Sequence, residues 1–210
     1  MKGVEAHRPG GSNMSISTPA LVGGAALAAV VVGAAGFAIG GGWSHEGALE
    51  ATRLTARFAF PWFVAAWSAS ALASLWPGGW RSTLLRRRRA VGLGFAACHF
   101  VHLGFILTLA LVFHHVLPKV TIYAGGFTYL LIAAMAATSN DAAVRALGRK
   151  GWKALHVTGG LMILLVFTNS YVSRLAAKPW LAIPALSLIA LAVTLKLAAW
   201  ALRGRRLQAA

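Results

Sequence analysis

RAVGLGFAACHFVHLGFILTLALVFHHV, residues 89–116, is the stretch that decides the fold. After Arg89 it holds no Asp, Glu, Lys or Arg. It is longer than the ~20 apolar residues an α-helix needs to cross a bilayer. Its titratable side chains are Cys98, His99, His102, His114 and His115. Ionisable groups at membrane depth are costly and read by default as functional. Neutral imidazole is also the usual protein ligand for iron in a membrane haem.

Working outward, five similar runs surround it. The apolar segments cover residues 19–40, 56–76, 89–116, 121–138, 153–173 and 179–202. The chain is 58% hydrophobic and 11% charged, more apolar than a soluble domain of this size can bury. The fold class that follows is all-α: a polytopic membrane protein with a six-helix transmembrane bundle over residues 19–202. Residues 1–18 read as a disordered polar arm and 203–210 as a basic tail. The first run exceeds the ~7–15 residues of a signal-peptide core and is read as a helix. Cys98 is the single cysteine, which excludes an internal disulfide and a cysteine-based metal cluster.

The net charge is +16, from 20 Lys+Arg against 4 acidic residues. These bases sit in short loops between apolar runs, so they indicate topology and contact with anionic membrane lipid, and nucleic acid is not an expected partner. All but five of them (Arg53, Arg57, Lys119, Arg174 and Lys178) flank the arm, loops 77–88 and 139–152, and the tail. That richer side is expected to be cytoplasmic, with both termini on it, in a bacterial inner membrane. Trp43, Trp76, Trp80, Trp152, Trp180 and Trp200 fall near segment ends, as interfacial anchors do. No loop can hold a nucleotide-binding domain, and no G-x-G-x-x-G follows a strand-like run. An electron donor would have to be a separate flavoprotein or quinol.

His99 and His102 lie three apart and share one face of the third helix. His156 opens the fifth. The bland alternatives are hydrogen bonding between helices for the pair and snorkelling towards water for His156. His114 and His115 close the third segment ahead of Pro118, where a polar helix end is the simplest role; His115 is kept as an outlying cofactor candidate. His45 and His7 do not rise above background. The membrane core contains no Asp or Glu, which disfavours zinc and a proton-coupled carrier. An imidazole-only site suits haem better, because the porphyrin brings four nitrogens of its own.

The run Arg88-Arg89-Ala90-Val91-Gly92-Leu93-Gly94-Phe95-Ala96-Ala97-Cys98-His99-Phe100-Val101-His102-Leu103 resembles the third helix of the ferric-reductase-like transmembrane domain, most closely the short YedZ/MsrQ-type haem subunits. The block from Thr138 and Ser139 through Leu147-Gly148, Trp152 and Leu155-His156 resembles that family's following loop and fifth helix. The resemblance spans about residues 86–173. It implies a six-helix bundle that binds haem b and passes electrons within or across the bilayer. By position it makes His102 and His156 the leading haem ligands. Where the larger relatives carry further histidines, this chain has Arg88 and Asn169, so one haem is expected rather than two.

Depth adds a rival. With Arg89 and Arg149 as the membrane edges, His156 lies roughly 10 Å deep, His99 roughly 15 Å and His102 roughly 20 Å. His99 therefore matches His156 better by depth. Arg88, Arg89 and Trp152 are candidates for the haem propionates, by charge-assisted hydrogen bonds. The expectation is the electron-transfer subunit of an oxidoreductase. The alternative is a non-redox small transporter or assembly scaffold.

Overall fold

The computed structural model describes residues 16–208, all helix and turn with no strand among them. The order is α1 (Thr18–Ile39), α2 (His45–Leu75), α3 (Gly79–Leu107), α4 (Gly126–Ala137), α5 (Asp141–Val172) and α6 (Pro179–Gln208). Five helices are long and apolar enough to cross a membrane; the span Thr121–Ala137, containing α4, is shorter. The chain is an integral membrane protein whose outer surface is apolar and meets lipid. The disordered arm expected over residues 1–18 lies almost wholly outside the described residues, and Thr18 belongs to α1.

Local chemistry sets the helix starts. Ser17, Ser44 and Asn140 each cap a helix by accepting from a backbone N–H of the first turn. Glu46 and Asp141 stand in first turns, where a negative charge complements the helix dipole. Gly41 and Gly42 take φ of 88° and 83°, which lets the chain reverse tightly between α1 and α2. At Gly148 a φ of 68° breaks the axis of α5.

The helices reach further than the apolar runs. α2 begins at His45 instead of residue 56. Arg53 and Arg57 thereby become helical, and both reach Glu50, at 2.9 and 3.8 Å. Most of the basic loops expected over 77–88 and 139–152 is helical, and the tail expected from residue 203 continues α6 to Gln208. α3 starts and ends earlier than the run 89–116. After Leu107 it opens into a wide π turn over Thr108–Val112, and residues 113–118 leave the helix. A second π turn, Thr121–Gly125, leads into α4.

Packing joins α2 to α3, α3 to α4, α4 to α5, α5 to α6 and α6 back to α2. These five form a closed ring, and α1 lies outside it against α2 and α3. Gly36 allows α1 to touch the backbone of α2: a Cβ there would stand 2.4 Å from Ala51 Cα. The ring interior is filled by Phe60 and Phe63 of α2, Phe95 of α3, and Phe167 and Tyr171 of α5, in edge-on and tilted contacts of 5.1–6.5 Å. Such pairs add about 0.5–1.5 kcal/mol each beyond area burial in water-soluble cores. The ring has a basic end, where α2–α3 and α4–α5 are joined, and an opposite end carrying His45 and His115.

Candidate functional site

His99 and His102 project from α3 into the ring, their centroids 5.3 Å apart, each only 8% exposed. Phe95, Tyr129 and Phe167 surround His99 at 5.0, 5.0 and 5.9 Å. Tyr129 Oη donates to the His99 carbonyl at 3.2 Å and ties α4 to α3. His99 Nδ1 is buried and finds no hydrogen-bond partner.

His102 is held differently. Its Nδ1 lies 3.0 Å from Thr55 Oγ1 of α2, in fully buried surroundings. The Thr55 hydroxyl proton already goes to the Ala51 carbonyl at 2.8 Å. With the hydroxyl proton on that carbonyl, Nδ1–H donates to Oγ1 and the lone pair is on Nε2. Metal-ligating histidines are oriented in this way, the far ring N–H fixed by a neighbour while the other nitrogen stays free. Thr55 fell one residue outside the apolar run 56–76, so the sequence reading did not include it.

His156 stands elsewhere. It stacks on Trp152 at 4.1 Å, and its Nε2 is buried without a partner. Phe167, the α5 residue beside His99, lies eleven positions further along that helix, so His156 is about 16 Å nearer the basic end. The expected depths, roughly 5 Å apart for His99 and His156, are not what the packing shows. Arg89 meets Asp141 at 2.7 Å, and the break at Gly148 separates that contact from Arg149. Arg149 therefore does not lie level with Arg89. His102, one turn beyond His99, is farther still from His156. The structure therefore does not bring His156 together with either α3 histidine.

The remaining candidates scatter. Trp152 Nε1 donates to the Thr138 carbonyl at 3.0 Å and so fastens α5 to the end of α4. Arg89 is occupied by Asp141. Arg88 is exposed at the basic end, close enough to His156 to act on it electrostatically. His115 lies at the opposite end, 3.0 Å from Nε2 of His45, a contact the sequence reading missed. Asn169 is exposed.

Among the described residues, no three or more His, Cys, Asp or Glu side chains gather to hold a metal ion. Two grooves, of about 290 and 280 Å³, lie between α2 and α3, the first also touching α6; both include Pro61 and Leu84, and neither includes a histidine. The donors present offer at most one imidazole to a haem, that of His102, whose surroundings are apolar and aromatic and onto which neither groove opens. They do not fit a haem shared by His102 and His156, which lie too far apart along the ring. Nor can His99 and His102 flank one iron, since side chains three apart on a helix point the same way.

Compared with known proteins, the chain matches no protein-family profile, no curated protein and no solved structure.

Proposed function

We propose that this chain is a membrane haem b protein, the electron-transfer subunit of an oxidoreductase of the ferric-reductase-like, YedZ/MsrQ-type kind. The observation that carries this reading is the His102–Thr55 contact, 3.0 Å long, between two buried side chains. Haem supplies one-electron oxidation and reduction when bound. The chain's own part is binding and tuning. Thr55 fixes the tautomer and direction of the His102 ring. Phe95, Tyr129 and Phe167 exclude water around the α3 histidines. By the positive-inside rule the basic end faces the cytoplasm of a bacterial inner membrane, and the donor is a separate flavoprotein or quinol.

The aromatic packing of the ring favours a second reading, a helical scaffold or small transporter without a prosthetic group. One measurement separates the two. Protein purified from haem-replete cells should show a b-type difference spectrum on dithionite reduction, at one haem per chain. A colourless preparation refutes the haem reading.

A further inference from the structure

The end of the ring opposite the basic loops carries a cluster that the haem reading does not use. His45 opens α2, and His115 lies in the segment after α3, seventy residues away in sequence. Their rings approach to 5.2 Å, with His45 Nε2 and His115 Nδ1 separated by 3.0 Å. Glu46 Oε1 lies 3.3 Å from His45 Nδ1. The carboxylate accepts from Nδ1–H, so the His45 lone pair is on Nε2 and faces His115.

The scaffold around this pair is built. Trp43 stacks on Phe37 at 4.9 Å and meets Phe113 at 5.4 Å, clamping the α1–α2 turn to the segment after α3. The wide turn Thr108–Val112 redirects the chain just before it, and such turns are frequent at functional sites. His115 N–H is fixed on the Leu109 carbonyl at 3.2 Å. Between Phe113 and His115, His114 takes φ 51°, the one non-glycine residue with positive φ among the described residues. Left-handed backbone at such a residue is uncommon and gathers at functional sites.

We propose that His45 and His115 form a binding site for a late divalent transition metal, Cu(II) first, at this membrane face. Two imidazole nitrogens bound to one ion at ~2.05 Å are roughly 2.9–3.4 Å apart, for angles between square-planar and tetrahedral. The observed 3.0 Å falls in that span. Without metal, His115 Nδ1–H donates to His45 Nε2. On binding, the His115 proton moves to its Nε2 through water, and both lone pairs meet the ion. Glu46 then completes a carboxylate–histidine–metal series, which orients the ring and raises its basicity. Both histidines and Glu46 are solvent-accessible, with 43% of the His45 side chain and 72% of that of Glu46 exposed, so the ion can enter and water can fill the remaining positions.

The test is a Cu(II) titration of untagged full-length protein in detergent, followed by electron paramagnetic resonance. One copper per chain should bind, with superhyperfine splitting from two nitrogens. His45→Ala and His115→Ala should each weaken binding at least tenfold and leave one coupled nitrogen. Glu46→Gln should weaken it about 10–100-fold, and Lys119→Ala should leave it unchanged. His45→Asn and His115→Asn serve if either alanine variant misfolds, with elution volume and circular dichroism as controls. Absence of saturable binding, or binding unaltered in the double variant, overturns the proposal. The titration reads copper whether or not haem is present, so it stands or falls apart from the haem reading.

Discussion

Thr55→Val tests the contact that carries the functional reading. Thr55 is fully buried, so no water can replace its hydroxyl as the acceptor for His102 Nδ1–H. Valine removes that acceptor at nearly constant volume. The orphaned N–H then costs its desolvation, about 1–3 kcal/mol. Near 2 kcal/mol this is about a thirtyfold loss in the folding equilibrium. Freed from Thr55, the imidazole can also turn, and loss of a partner behind a metal-binding histidine typically costs about 10–100-fold in affinity. Thr55→Ser keeps the hydroxyl and should retain most of both. Unfolding by SDS in mixed micelles reads the stability; haem per chain after purification reads the affinity. Should Thr55→Val match the wild type within about 0.5 kcal/mol and keep its full haem content, the orienting role of Thr55 is refuted.

Three further outcomes follow from the packing. His102→Ala should abolish the haem spectrum while His156→Ala leaves it in place, because about 16 Å of helix separates the two levels; the opposite pattern would move the ligand to α5. Gly36→Ala should destabilise the bundle more than Gly23→Ala, since its Cβ meets backbone at 2.4 Å whereas Gly23 has nothing within 4 Å; thermal unfolding ranks them. Trp152→Phe should cost about 0.5–1.5 kcal/mol, by losing the 3.0 Å donation to the Thr138 carbonyl, with the packing on His156 largely kept.

The spans were legible because bilayer thickness sets a minimum apolar length, and residues 19–40 or 179–202 meet it with no tertiary context. Their ends were not. Glu50, Arg53 and Arg57 look like loop charges, yet on a helix they pair among themselves and allow α2 to start at His45. The turn at Thr108–Val112 has no composition of its own, so where α3 ends had to come from the structure. That His99 and His102 share one face followed from their spacing alone, whereas its turning into the ring came from the structure. Their relation to His156 did not, because relative helix depth depends on contacts such as Arg89–Asp141 that join distant segments. His45 and His115 are seventy residues apart and share no motif, so only folding reveals that they touch.

His99 supplies the sharpest separation of structural from functional demand. Its Nδ1 is buried with no partner, inside a shell of Phe95, Tyr129 and Phe167. An unpaired buried polar group costs about 1–3 kcal/mol, and phenylalanine would extend the aromatic shell without that penalty, with a somewhat larger ring. A proton relay through His99 needs a next group within hydrogen-bond reach; Nδ1 has none, and the Tyr129 hydroxyl is committed to the His99 carbonyl. Packing alone therefore favours phenylalanine here. His99→Phe should raise the stability of the haem-free protein by about 1–3 kcal/mol in the same SDS titration. If this variant keeps its full haem complement, His102 is sufficient as the ligand and His99 is spare. If it is instead destabilised by more than about 1 kcal/mol, Nδ1 has a partner in the working protein and the unpaired reading fails.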